Sequence, residues 1–519
     1  MKYILSLLIC LGLIACEAES DPDAAGARDS ESCPSVGDLT VERSSGLGSG
    51  GRCLISGTLT ETATLSAVSE WHLNGPLIIG DGASSPLFII EPGVEIFAGE
   101  NGSGFDYIYV APGASIHAIG TKDKPIIFSS DDEDYEGSGQ WGGLIIEDSS
   151  ATSGQARLEY VVVTEAGAEV TVGNKIYADN IVLEGVHDNT FIQYLQSHDS
   201  ARDGIRLQSS EASANQARLS WLLITGSSRD AFSYNNFSGL VKDMLVIHRP
   251  EFYDGASGGR AGIYASNSNS LPLFVNITLA GRDTTSNNAI TIENQEFGIV
   301  FADSSSGIRM ANTLISNFRN GCYEVSDNAD LSTMSLGEAD ITQSFIDGVH
   351  CGHERSGLAG NVFVPFLLRG SGQNIPGSVL NDGMQFHGNS AFNFDGEINP
   401  TTAITGAWFL NSIGGLLNDL VVNSTGGLNA FASGDTDNSG SVNSDDKDFQ
   451  PLLNSTDAFF GGINVLSIPP EDDDSNIEGY DLTIIGAVRS ASQNLANEFD
   501  GWTLQAGGIF PQEVTGFAP

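Results

Sequence analysis

The sequence predicts an all-β protein, and more specifically a right-handed parallel β-helix with capping segments and a small irregular C-terminal calcium-loop region. Short apolar strands alternate with polar residues, and related segments recur about every 20 to 27 residues. Glycine is abundant, at 62 residues, while only 17 % of residues are charged. This composition is typical of turn-rich β proteins. We therefore expect stacked coils filled by ladders of Ile, Leu, Val and Phe.

Residues 1–15 predict a lipoprotein signal peptide. Lys2 precedes an apolar stretch that is too short to span a membrane and that ends in "LIAC" at Cys16. This tetrad resembles the bacterial lipobox. The resemblance implies cleavage before Cys16 and acylation, as by palmitate, of its thiol and its new amino terminus. We expect a lipid anchor in the outer membrane, with the body on its periplasmic or outer face. An ordinary secretory signal is the alternative.

The remaining N-terminal region predicts a tether and disulfides. Residues 16–32 have almost no large apolar side chains, which predicts an acidic flexible tether. Four cysteines follow in an oxidising compartment, which predicts two disulfides. Sequence proximity favours Cys33 with Cys53 and Cys322 with Cys351, although four cysteines allow three pairings.

The charge of the chain restricts its partners. Acidic residues outnumber basic ones by 66 to 22, and the formal net charge is −44. Such a field repels nucleic acid and polyanions, so we expect no nucleic-acid partner.

Repeats predict how the body is organised. Pro92 and Pro112 lie in two strand, Pro-Gly turn, strand segments twenty residues apart, and Arg202-Asp203 and Arg229-Asp230 are twenty-seven residues apart. We expect these Arg-Asp pairs to form ion pairs between stacked coils. The predicted regions are an N-terminal cap (33–60), the β-helix (61–360), irregular final coils or a covering layer (361–433), and a C-terminal region with a calcium loop (434–519).

Two motifs carry a family resemblance. "GTKDKPIIFSS" at 120–130 followed by "QWGGLII" at 140–146 resembles a recurring motif of bacterial surface or secreted β-helix lipoproteins. The segment "IIGAVRSASQNLANEFDGWTLQAG" at 484–507 resembles the closing segment of the same family. The resemblance implies a β-helix exported to the cell envelope, and the family has largely unassigned activity.

The stretch "GDTDNSGSVNSDD" at 434–446 has the ligand spacing of an EF-hand-like calcium loop, with Gly440 at the sharp turn. It resembles the loop of dockerin modules, but Pro451 interrupts the helix that would follow, which argues against dockerin-type docking. A solvated polar loop is the alternative. The expected Ca²⁺ ligands are Asp435, Asp437, Ser439, Ser441, Asn443 and Asp446.

The function favoured by the sequence is binding of a glycan or an envelope protein, because a long solenoid offers an extended face. Aromatic side chains are the candidate platforms. One alternative is a polysaccharide-degrading lyase or hydrolase, although no motif of polygalacturonase-like or Ser-His-Asp enzymes is present. Another is a structural or accessory lipoprotein of an outer-membrane complex. The candidate ligand-binding residues are Trp141, Trp221, Tyr234 and Phe237.

Overall fold

A computed structural model shows a right-handed parallel β-helix, which confirms the predicted fold class. In the described part of the chain every regular element is a β-strand. That part also contains no helix long and apolar enough to cross a membrane. The described residues are 33–44, 52–131, 137–147, 156–187, 189–209, 217–248, 260–266, 272–280, 296–302, 308–316, 321–325, 339–342, 345–346, 384–387, 487 and 502–503.

Three parallel sheets, here named A, B and C, form the faces of the solenoid. Sheet A contains β9 (Ile108–Val110), β12 (Leu144–Glu147), β16 (Ile181–Glu184), β18 (Ile205–Gln208), β20 (Phe232–Asn235), β22 (Arg260–Ser266), β24 (Glu296–Phe301) and β26 (Gly321–Val325). Sheet B contains β3 (Ala63–Leu65), β5 (Leu87–Ile90), β10 (Ser115–Ile119), β27 (Ala339–Thr342) and β29 (Met384–His387), and sheet C contains β6 (Glu95–Ala98), β11 (Ile126–Ser130) and β28 (Phe345–Ile346).

Long bent strands belong to two sheets at once. Their first halves pair in sheet B and their second halves in sheet C: β13 (Ala156–Thr164), β17 (Phe191–His198), β19 (Arg218–Thr225), β21 (Leu240–Ile247), β23 (Leu273–Ala280) and β25 (Ile308–Ser316). Similarly, β2 (Cys53–Leu59) and β4 (Trp71–Ile79) run from sheet C into sheet A.

One residue makes the corner between sheets B and C in each bent strand from β13 to β23. These residues have φ between 50° and 57°, a left-handed conformation that is uncommon outside glycine. They occupy equivalent register positions on successive coils: Tyr160, Tyr194, Trp221, Asp243 and Asn276. A single left-handed residue therefore turns the chain without an intervening loop.

The interior is a stack of apolar ladders. Leu158, Ile192 and Leu219 follow one another in register and are at most 1 % exposed, and Val241 and Phe274 extend the same column. Because side chains alternate in direction along a strand, each coil contributes similar residues to the same layer of the core. The expected apolar ladders are thus present.

The N-terminal end of the solenoid is closed by β1 (Thr40–Arg43), which pairs antiparallel with β2. The Cys33–Cys53 disulfide joins the entry of the chain to the first coil, with an S–S distance of 2.08 Å. This confirms one predicted bridge. The other predicted bridge joins Cys322 and Cys351. Only the backbone of Cys322, on β26, is described, and Cys351 lies outside the described residues.

Coil length differs from the predicted twenty residues where the Pro-Gly turns occur. Leu87 pairs with Ser115, so that coil is 28 residues long. Pro92 lies between strands of sheets B and C, whereas Pro112 lies between strands of sheets A and B. The two turns share a Pro-Gly sequence, with Gly93 and Gly113 at positive φ. They occupy different corners of the solenoid and do not stack.

Candidate functional site on the outer face of sheet A

The outer face of sheet A changes character along the solenoid. At its N-terminal end, the outward side chains of Ile145 and Val182 pack under a hairpin formed by β14 (Val170–Val172) and β15 (Lys175–Tyr177). From β18 to β22 the equivalent outward positions carry polar groups, Arg206, Ser233 and Tyr264. The hairpin therefore forms a wall at one side of a polar surface.

The wall is fixed by charged and phenolic groups. Lys175 Nζ lies 2.8 Å from Glu147 Oε1 and bridges to Glu184 Oε1 at 2.5 Å. The hydroxyl of Tyr177 donates to Glu184 Oε2 at 2.8 Å, and the hydroxyl of Tyr109 donates to Glu147 Oε2 at the same distance. Burial, together with these carboxylates, raises the pKa of both phenols. Both hydroxyls therefore stay protonated as donors.

Beyond the wall, three consecutive coils present polar side chains in two rows. Arg206, Ser233 and Tyr264 are in register, and so are Gln208, Asn235 and Ser266. Apart from the buried Ser233, these side chains are partly exposed. Coils repeat at the strand spacing of about 4.8 Å, so equivalent donors and acceptors recur along the axis. We name these six residues the polar strip.

A buried acidic ladder borders the polar strip. Asp179, Asp203 and Asp230 each lie two residues before a strand of sheet A and occupy equivalent positions on three coils. Each carboxylate accepts a backbone N–H from the following coil: that of Asp203 at 3.1 Å, of Asp230 at 3.3 Å and of Ala261 at 2.9 Å. The ladder therefore helps to join the coils.

Two arginines balance this ladder. Arg229 donates from Nε and Nη2 to the two carboxylate oxygens of Asp203, both at 2.6 Å, and its Nε lies 3.5 Å from Asp230 Oδ2. Arg206 Nε lies 3.0 Å from Asp179 Oδ2. The two arginine side chains are 24 % and 19 % exposed, whereas the Asp203 carboxylate is fully buried. A bidentate pair of this kind is geometrically specific.

The ladder carboxyls differ in the direction of their pKa shifts. Burial raises the pKa of Asp230 well above its usual range, and the negative charge of Asp203 raises it further. Burial would also raise the pKa of Asp203, but the charge and hydrogen bonds of Arg229 outweigh it, so that pKa is lowered. Burial and the charge of Asp203 raise the pKa of Asp179 to about 6. The pKa values of the neighbouring Asp203 and Asp230 carboxyls are therefore shifted in opposite directions.

Part of this site was predicted. The inter-coil ion pair expected from the repeated Arg-Asp sequences is confirmed for Arg229 with Asp203. Asp179 and Arg206 were missed because neither lies in an Arg-Asp pair. A usable signal is an aspartate two residues before an apolar strand, as in "DNIVL", "DGIRL" and "DAFSY".

The four aromatic candidates lie in packed surroundings. Trp141 is fully buried and its Nε1–H donates to the carbonyl of Thr164 at 2.8 Å. Tyr234 and Phe237 are at most 1 % exposed and belong to the interior cluster. Trp221 has one face parallel to Tyr194 at 6.1 Å, and a lysine ammonium lies 5.8 Å from its ring centroid. Packing within and between coils occupies these rings, so the structure offers none of them as an open platform.

The remaining predicted sites lie outside the described residues. These are Cys16 and the calcium loop residues from Asp435 to Asp446. Within the part of the chain that the structure describes, no group of three or more His, Cys, Asp or Glu side chains is arranged to hold a metal ion.

Comparison with known proteins supports the architecture. A family model described as a pectate-lyase-like β-helix domain matches residues 57–156. This is less than half of the chain and covers the first coils, before the polar strip. No curated protein and no solved structure matched the chain.

Proposed function

We propose that this protein is a lipid-anchored cell-envelope protein of the outer membrane, acylated at Cys16, that binds a neutral glycan along the polar strip. The observation that carries this proposal is the register of partly exposed amide and hydroxyl groups on three consecutive coils, notably Gln208, Asn235 and Ser266. A polymer with repeating hydroxyls could meet equivalent partners coil after coil.

Charge supports a neutral rather than an anionic glycan. The chain carries a formal charge of −44, which repels polyanions. Locally, Arg206 and Arg229 are engaged by the buried ladder and are not free to neutralise an anionic sugar. Hydrogen bonding is therefore the interaction that remains for recognition.

Replacing Gln208 by alanine should weaken glycan binding about tenfold, the effect of losing one to two hydrogen bonds. Gln193→Ala is the matched control, because Gln193 also donates to a glutamate of the neighbouring coil but lies on sheet B. Binding would be measured by glycan array and calorimetry on the chain from residue 32 onward, beside a pull-down from envelopes. Equal losses in both variants, or capture of an envelope protein with no glycan bound, would contradict the proposal.

A second candidate function is hydrolysis of a glycan by the ladder. The pKa of Asp230 is raised and that of Asp203 is lowered, and opposite pKa shifts in neighbouring carboxyls are the arrangement of an acid with a base or nucleophile. The strand spacing of about 4.8 Å is close to the carboxyl separation of retaining glycosidases. Substrate would first have to displace the Arg229 side chain. Release of reducing ends that disappears in Asp230→Asn would favour this candidate over simple binding.

We also propose that Ca²⁺ orders the C-terminal region through the loop from Asp435 to Asp446. The supporting observation is the alternating oxygen-ligand spacing around Gly440. Calcium at 100 times its dissociation constant should stabilise the folded chain by about 2.7 kcal/mol. Asp435→Ala should abolish the corresponding rise in melting temperature, while Asp473→Ala, an equal loss of charge outside the loop, should retain it. A rise that persists in Asp435→Ala would place calcium elsewhere.

A further inference from the structure

The outer face of sheet C is buried, unlike the outer face of sheet B. One register column of its outward positions is at most 2 % exposed and is mostly apolar: Ile127, Val162, Gln196, Leu223, Leu245 and Thr278. The residues on either side of Val162 and Leu223 belong to the interior cluster. Because directions alternate along a strand, the column itself points away from the core.

On sheet B the corresponding outward positions are open. Arg157, Phe191 and Arg218 are in register on consecutive coils, and all three are exposed. A strand buried on both faces is expected only where another layer covers it. The outer face of sheet C is therefore covered, whereas that of sheet B is not.

Described residues near the C-terminus contact this face and the corner beside it. The backbone N–H of Ala487 donates to Thr278 Oγ1 at 2.9 Å, and Ala487 is fully buried. Trp502, also fully buried, meets the rings of Tyr160 and Tyr194 edge-on, each at 6.0 Å between centroids. Both contacts involve chain that is far away in sequence.

These two contacts lie at different positions along the axis of the solenoid. Tyr160 and Tyr194 stack face to face at 4.3 Å at the corner between sheets B and C. Thr278 lies on β23, three coils beyond Tyr194, or about 14 Å along the axis at the usual strand spacing. Ala487 therefore lies beside a later coil of the solenoid than Trp502 does, although it comes earlier in the sequence.

We propose that the C-terminal segment anchored by Ala487 and Trp502 is the built-in partner of the outer face of sheet C. Trp502 is its main anchor and docks in cis on the aromatic corner formed by Tyr160 and Tyr194. The segment covers a mostly apolar column that would otherwise be exposed along several coils, where it would promote association between copies. This role is independent of glycan binding.

In the full chain, Trp502→Ala should loosen the segment. We expect cleavage by a protease near the C-terminus to accelerate about tenfold and dye binding to newly exposed apolar surface to increase several-fold. Phe191→Ala, which removes an exposed ring from sheet B, is the control and should change neither. Unchanged cleavage and dye binding in Trp502→Ala would overturn the proposal.

A double-mutant cycle tests the contact itself. Tyr194→Asn removes the ring but keeps a residue that tolerates the left-handed corner, as Asn276 does at the equivalent position. The unfolding equilibrium of the double variant with Trp502→Ala should differ from the product of the single effects by about two- to tenfold. A purely multiplicative result would show that the rings are not coupled. A wild-type dimer that Trp502→Ala dissociates would place the segment on a second copy and overturn docking in cis.

Discussion

Replacing Asp203 by asparagine is expected to lower the free energy of unfolding by about 3 kcal/mol at pH 7. Asp203 is fully buried and holds Arg229 through two charge-assisted hydrogen bonds, so the substitution leaves a guanidinium without its bidentate partner. The expected loss is at the lower end of the range for buried ion pairs, because Arg229 is 24 % exposed and Asp230 lies 3.5 Å away. Chemical denaturation measured at several pH values would give this quantity.

Asp230→Asn is the matched control for this prediction. Because the folded-state pKa of Asp230 is raised above its ordinary value of 3.8, its contribution to stability is fully present below that value. The contribution is lost as the pH rises through the raised pKa. An asparagine has no such titration, so this variant should match the wild type near pH 4 and be at least as stable at pH 8. If Asp230→Asn were as destabilising at pH 7 as Asp203→Asn, the opposite directions of the two pKa shifts would be wrong.

Replacing Trp141 by alanine should lower the free energy of unfolding by about 4 kcal/mol. A fully buried indole would leave a large cavity, and the Thr164 carbonyl would lose its donor. Trp141→Phe keeps most of the volume and should cost about 1 to 2 kcal/mol, mainly through the lost hydrogen bond. Equilibrium unfolding gives both values. A small stability change in Trp141→Ala together with lost glycan binding would instead make Trp141 a ligand contact.

The fold could be predicted because a stacked coil repeats the same local chemistry. The 27-residue separation of the Arg-Asp pairs is the length of one coil, and Asp203 and Asp230 are in register. The 20-residue separation of Pro92 and Pro112 arises differently, from two similar turns at different corners. Spacing alone therefore identifies a solenoid, but it does not distinguish one complete coil from a part of one.

The candidate site was harder to predict for a related reason. Coils differ in length, so residues that stack have irregular sequence separations; Asp179 and Asp203 are 24 apart, and Tyr160 and Tyr194 are 34 apart. Aromatic residues also carry no sequence signal for the left-handed corner they occupy. The sequence also does not show whether an aromatic side chain such as Trp141 is buried or exposed. Assigning these positions requires the register of the coils.

The Cys33–Cys53 disulfide also fixes where the chain enters the body relative to the polar strip. It ties the point where the chain enters the body to β2, and β18 follows five coil steps later, a rise of about 24 Å. If the chain is anchored through Cys16, as proposed, the coils before β18 set the separation between the polar strip and the end of the body nearest the anchor.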